Sequence, residues 1–129
     1  MIAAVATGEG LLLVDVEAEI VLGPGSELPE VERPRVELPR VVATAGAGAT
    51  VVAVVERRPP LLISRDGGIT WSEAGGGLPP GFGVAVAEDD PDRMLYAARN
   101  RLYLSTNGGV FWSSLALELP DIEGIAWLD

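Results

Sequence analysis

The hydrophobic positions fall into short runs that recur along the chain. Val41–Ala45, Val51–Val55 and Leu61–Ser64 are answered 41 residues later by Phe82–Val86, a run ending in Met94–Ala97, and Leu102–Ser105. Each run is apolar, rich in β-branched or aromatic residues, and bounded by Gly, Pro, Asp or Asn, which predicts strands separated by turns. Residues 2–6 and 10–14 add two more strands, joined by the tight turn Thr7-Gly8-Glu9-Gly10. From Asp15 to Ile20 acidic and apolar residues alternate, the period of a strand with one wet face, so a third strand is expected at 16–22. Residues 23–39 break the pattern. Pro24, Pro29, Pro34 and Pro39 remove ladder donors there and predict a loop or an edge segment. Short fourth strands are expected at 71–74 and 112–115.

The clearest recurring unit is Ser64-Arg65-Asp66-Gly67-Gly68-Ile69-Thr70-Trp71, repeated in weaker form as Ser105-Thr106-Asn107-Gly108-Gly109-Val110-Phe111-Trp112. A fixed period of this length signals a repeat architecture. The two chain ends extend it. Gly124–Trp127 overlays Gly83–Val86, and Leu11–Leu13 overlays Leu102–Leu104, so a third unit is begun at the C-terminus and finished at the N-terminus. Val14-Asp15-Val16-Glu17 stands where its turn belongs. The expected fold is therefore all-β, with three four-stranded units. One is split between residues 1–22 and 121–129; the others are 40–78 and 79–120, with 23–39 as a loop.

Ser64, Asp66, Gly68, Thr70 and Trp71 resemble the Asp-box, or BNR repeat, of sialidases, sortilin-type receptor domains and photosystem II assembly factors. Ser105, Asn107, Gly109 and Trp112 match it with two departures, Asn107 for Asp and Phe111 for Thr. The resemblance implies a β-propeller of four-stranded blades, with the box on the outer rim in a structural role. Residues 1–129 would then form a half-ring. Propellers carry about 4–8 blades, so three cannot close, and a homodimer of six blades is expected. In it, residues 122–128 of each chain would pair with residues 2–22 of the other. The competing expectation is a piece of a longer propeller; the start at Met1 and the matching ends favour the dimer.

Composition narrows the chemistry. The chain has 129 residues, 48% of them hydrophobic, and a net charge of −10 from 19 acidic residues and nine arginines, with no lysine, histidine or cysteine. An acidic surface repels phosphate backbones, so nucleic-acid binding is not expected. Without His and Cys, Ser-His-Asp and Cys-His machinery is excluded, and so are thiolate metal sites. No run is long enough to span a bilayer, and residues 1–6 lack a basic leader, so membrane insertion and secretion are disfavoured and the cytoplasm is favoured.

No cofactor or metal is called for. Glu88-Asp89-Asp90-Pro91-Asp92 lacks the glycine and ligand spacing of a calcium loop and reads as a solvated turn. Gly75-Gly76-Gly77 has no following lysine, so it is not a P-loop.

Two functions remain. One is a non-catalytic binding or scaffold module. Its loops between second and third strands would present Arg57, Arg58, Arg99 and Arg101 to a protein, a peptide or a small anionic ligand. The other is a sialidase-like, glycan-processing hydrolase. The resemblance implies for that reading an arginine cluster, a Tyr nucleophile and acidic partners. Tyr96 and Tyr103 sit in apolar strand positions, so no catalytic residue is assigned.

Overall fold

The computed structural model describes residues 1–128. Among these are twelve strands and no helix: β1 (Ile2–Thr7), β2 (Gly10–Asp15), β3 (Ile20–Pro24), β4 (Val41–Ala47), β5 (Thr50–Val55), β6 (Leu61–Ser64), β7 (Ser72–Ala74), β8 (Gly83–Val86), β9 (Met94–Ala97), β10 (Leu102–Ser105), β11 (Ser113–Ser114) and β12 (Ile122–Trp127). They form three four-stranded antiparallel sheets, ordered β12-β1-β2-β3, β4-β5-β6-β7 and β8-β9-β10-β11. These are referred to below as the split blade, the first blade and the second blade. The split blade is completed within one chain: β12 lies antiparallel to its own β1, with Ala4 opposite Ala126 and Val5 opposite Ile125. The pairing expected between two chains is thus made by the two ends of one.

The side chains of each strand alternate between the sheet's two faces, and this builds two cores. Val52, Val54, Leu61 and Ile63 of the first blade meet Val84, Val86, Met94 and Tyr96 of the second. On its other face the second blade turns Ala85, Leu95, Ala97 and Leu102 toward Ala3, Val5, Val14 and Ile125 of the split blade. The second blade is therefore the middle of an arc. Its inner strand β8 touches both β4 and β12, whereas β4 and β12 do not meet.

Two expectations shift. The third strand of the split blade is Ile20–Pro24, not 16–22. Asp15 accepts hydrogen bonds through Oδ1 from the backbone N–H of Glu17 (3.1 Å) and Ala18 (3.0 Å), and Glu19 adopts a φ of 57°. This carboxylate-held turn competes with the strand that the alternation suggested. The first strands also repeat one residue out of step. Ala85 opposes Leu95, and its counterpart opposite Val54 is Ala43, a register that runs unbroken from the tight Ala47–Thr50 hairpin; a bulge then interrupts β4 between Val41 and Ala43.

Candidate functional site

The loops divide between the two ends of the strands. At one end lie the two Ser-Asp/Asn-Gly-Trp turns and the acidic turn 88–92. The Ser64 hydroxyl donates to Asp66 Oδ1 (2.8 Å) and accepts from Gly68 N–H (2.7 Å). Asp66 in turn accepts from Thr70 N–H (2.9 Å) and the Thr70 hydroxyl (2.6 Å), and the Trp71 indole N–H caps Gly68 O (3.1 Å). The second copy repeats this from Gly109 N–H to Ser105 Oγ (2.9 Å), from Phe111 N–H to Asn107 Oδ1 (3.0 Å), and from the Trp112 indole N–H to Gly109 O (2.9 Å). Asn107 supplies the one oxygen the backbone needs; what is lost with Phe111 is the hydroxyl partner. Gly68 and Gly109 sit at φ 96° and 86°, where a β-carbon is strained. The Ser, Asx, Thr and Trp polar groups of the motif are thus turned inward on their own turn, as a structural fastener would be.

These bonds, led by those from Thr70, hold the Asp66 carboxyl down to about 2 from an ordinary 3.8. A depressed carboxylate stabilises the fold above its unfolded value and loses that contribution as pH falls through its folded one. Asp66→Asn should therefore be less stable than the parent at neutral pH, with the gap closing between about pH 4 and 2. Thermal melts across that range check this; a gap unchanged at pH 2 would contradict it.

Two carboxylates of the acidic turn, Asp90 and Asp92, likewise serve the fold. Asp92 accepts from Arg65 (3.5 Å), Asp90 Oδ1 accepts from Asp92 N–H (3.3 Å), and Gly108 N–H bonds Asp92 O (2.9 Å). Arg65 also reaches Gly108 O (2.8 Å), which ties the Ser64–Trp71 turn of the first blade to the Ser105–Trp112 turn of the second.

The opposite end gathers the loops 7–10, 56–60, 75–82, 98–101 and 115–121. Gly8 N–H bonds Asp121 O (3.0 Å), Leu119 N–H bonds Asn100 O (3.1 Å), and Ile122 N–H bonds Arg99 O (2.8 Å). Three arginines here carry carboxylate partners: Arg57 with Glu73 (3.8 Å), Arg99 with Asp121 (3.3 Å) and Arg101 with Glu118 (3.3 Å), whereas Arg40, whose carbonyl accepts from Glu56 N–H, has no ion-pair partner among the described residues. Arg58 has no ion-pair partner among the described residues. It borders a groove of about 640 Å³, lined by Arg58, Pro59, Pro60, Gly76–Pro80 and Tyr103. Tyr103 is half-buried, and its ring meets Tyr96 edge-on at 6.1 Å between centroids. Its hydroxyl has no partner among the described residues.

The sequence grouped the four arginines by loop type; it could not show that carboxylates from other strands and loops stand beside three of them. It also missed the groove, because Tyr103 reads as a core residue until the 76–80 loop is seen beside it. Tyr96 is fully buried, donates to Pro79 O (2.7 Å), and has its hydroxyl pushed up to about 12 by burial. It is placed to hold a loop, not to attack a substrate.

No family model matches the chain, and no curated protein matches it. Among solved structures it is similar to the crystal structure of the Niastella koreensis GH74 enzyme, with a TM-score of 0.53 and 23% identity over 92% of this chain and 18% of that one. The chain therefore spans about a fifth of that enzyme's length, and likeness at this identity concerns the fold: an all-β, propeller-like stack of blades.

Proposed function

We propose that the chain is a non-catalytic binding module of Asp-box β-propeller type. Its ligand is a carboxylate-bearing small molecule or an acidic peptide, held in the groove between Arg58 and Tyr103. The observation that carries this reading is Arg58 itself. It is the arginine that lines the groove, no carboxylate stands beside it among the described residues, and an unpaired guanidinium is a ready two-pronged donor to an anion. Pro79, Pro80 and Tyr103 supply the apolar wall that such grooves combine with one placed charge.

Binding of a panel of short acidic peptides and dicarboxylates, followed by calorimetry, tests it. Arg58→Ala should weaken the best binder about tenfold or more, the worth of one charge-assisted hydrogen bond. Arg99→Ala, which only releases Asp121, should change it little. Equal affinity of Arg58→Ala and the parent would remove the proposed site.

In assembly, two such chains make a six-bladed ring. The arc leaves one face of the first blade and one face of the split blade unmatched by any blade. A two-fold axis would bring each against the other's counterpart. Because β12 is already paired within its chain, the ring needs no exchange of strands.

A further inference from the structure

The connection between β3 and β4 is unlike the others. It has 16 residues (25–40), against eight between β7 and β8 (75–82) and seven between β11 and β12 (115–121). It must also travel farther, since it joins the two ends of the arc.

Its path follows the uncovered faces. On the split blade, Ala4, Leu11, Leu13 and Ala126 point away from the second blade. Gly25 lies on them, so close that a β-carbon there would sit 2.3 Å from a Leu11 methyl, and Gly25 N–H bonds Leu11 O (2.9 Å). The Leu28 side chain approaches Gly124 on the same face. Residues 29–33 then cross the notch between β12 and β4, roofing a cavity of about 270 Å³. On the far side Pro34 packs on Gly46, its carbonyl accepts from the Thr44 hydroxyl (3.0 Å), and Arg33 donates to Thr44 O (3.2 Å). Residues 34–38 continue beside Val51, Gly68 and Trp71, with Pro34, Val36 and Leu38 turned partly inward and Arg35 and Glu37 outward. Val51, Ala53, Val55 and Leu62 on this face are buried, although no other sheet packs there.

Those two faces are the ones blades use to join. At the repeat spacing, Leu11 and Leu13 stand where Leu102 and Leu104 stand in the second blade, and that pair packs into the neighbouring blade. Ala53, Val55 and Leu62 stand where Met94, Tyr96 and Tyr103 stand, and these pack into the preceding blade. One end of the arc thus carries the leading face of a blade–blade joint and the other end the trailing face. Residues 25–39 occupy both. Stacked repeats need such caps, because an open end face is otherwise apolar and wet. This cap is weakly fastened. Three prolines keep it out of the ladders, and among the described residues three hydrogen bonds tie residues 25–39 to the blades.

We propose that residues 25–39 are an internal cap that a second copy of the chain displaces. When the cap lifts, the leading face of each split blade docks on the trailing face of the other chain's first blade, and two identical joints close the ring. The cap sets the concentration at which this occurs, because only the lifted fraction is competent to dock. This inference rests on the six-bladed assembly proposed above.

Native mass spectrometry and sedimentation over a wide concentration range test it. The parent is compared with a variant whose residues 27–38 are replaced by a glycine–serine linker of equal length. Two-chain particles should form in both, at a concentration at least tenfold lower in the linker variant. If both pair at the same concentration, the cap is refuted and the ring stands. If neither pairs, the ring itself is refuted, and the cap with it. Should the linker variant lose its β-sheet circular dichroism, the chain's lack of cysteine offers a second route. A Leu28→Cys/Gly124→Cys disulfide should hold the oxidised protein as one chain and let the reduced protein pair. Pairing of the oxidised form would overturn the proposal.

Discussion

A chain cut after Pro120 is expected to lose cooperative unfolding, and a peptide spanning 119–129 is expected to restore it. The cut removes β12, whose Ile122, Ile125 and Ala126 are almost wholly buried. Burying each isoleucine contributes about 1.5–3 kcal/mol. The ladder to β1 and the bonds Gly8 N–H to Asp121 O, Ile122 N–H to Arg99 O and Leu128 N–H to Ile2 O are lost as well. Each contributes about 0.5–1.5 kcal/mol net. Together the loss is on the order of 5–10 kcal/mol, comparable with the whole stability of a small domain, about 5–15 kcal/mol. It also turns β1, with Ala3, Ala4 and Val5 fully buried, into a bare apolar edge, the kind of strand that invites aggregation. The added peptide supplies both the ladder and the two isoleucines. Thermal and denaturant unfolding of the cut chain, alone and with peptide, measure this. A cut chain that still melts in one sharp transition would mean that the split blade does not depend on its C-terminal strand.

The repeat, and with it the split blade, was legible because its signal is chemical as well as hydrophobic. A turn that must place Ser, an Asx oxygen, a left-handed Gly and an indole at fixed offsets leaves few substitutions open, so Ser64–Trp71 and Ser105–Trp112 keep the register visible. The offset of 91 between Leu11–Leu13 and Leu102–Leu104 also holds in the fold, where Leu11 and Leu13 point the way Leu102 and Leu104 do. Local competition was harder to see. The alternation at 15–20 promises a strand until Asp15 is seen holding the backbone of Glu17 and Ala18.

The 25–39 segment was legible only as proline-rich. Its course is set by which faces are left bare, and that is a property of the assembled arc, not of its own residues. The candidate groove was hidden for a related reason. Arg57, Arg99 and Arg101 look equivalent to Arg58 until Glu73, Asp121 and Glu118 arrive beside three of them.

The joint between the first and second blades should depend most on Tyr96, and two substitutions separate its contributions. The side chain is fully buried, and its ring meets Tyr103 at 6.1 Å and Trp112 at 6.0 Å, both edge-on. Its hydroxyl donates to Pro79 O at 2.7 Å. Gly81 leaves room for the ring: a β-carbon there would lie 2.2 Å from Tyr96 Cζ. Tyr96→Ala deletes a whole aromatic from a packed core and should cost about 3–5 kcal/mol. Tyr96→Phe keeps the ring and should cost about 1 kcal/mol, leaving the Pro79 carbonyl without its donor.

Alkali offers an independent readout. Burial raises the hydroxyl from 10.0 to about 12, so its protonated form is favoured in the folded state. A raised pKa gives stability that is present below the unfolded value and lost as pH rises through the folded one. The parent should therefore lose stability between pH 10 and 12 more steeply than Tyr96→Phe, which has no proton to release there. Urea unfolding of the three proteins at pH 7 and pH 11 measures both effects. A Tyr96→Ala cost below about 1 kcal/mol, or equal alkaline slopes for the parent and Tyr96→Phe, would show that the joint is centred elsewhere, on Val52, Val54 and Met94.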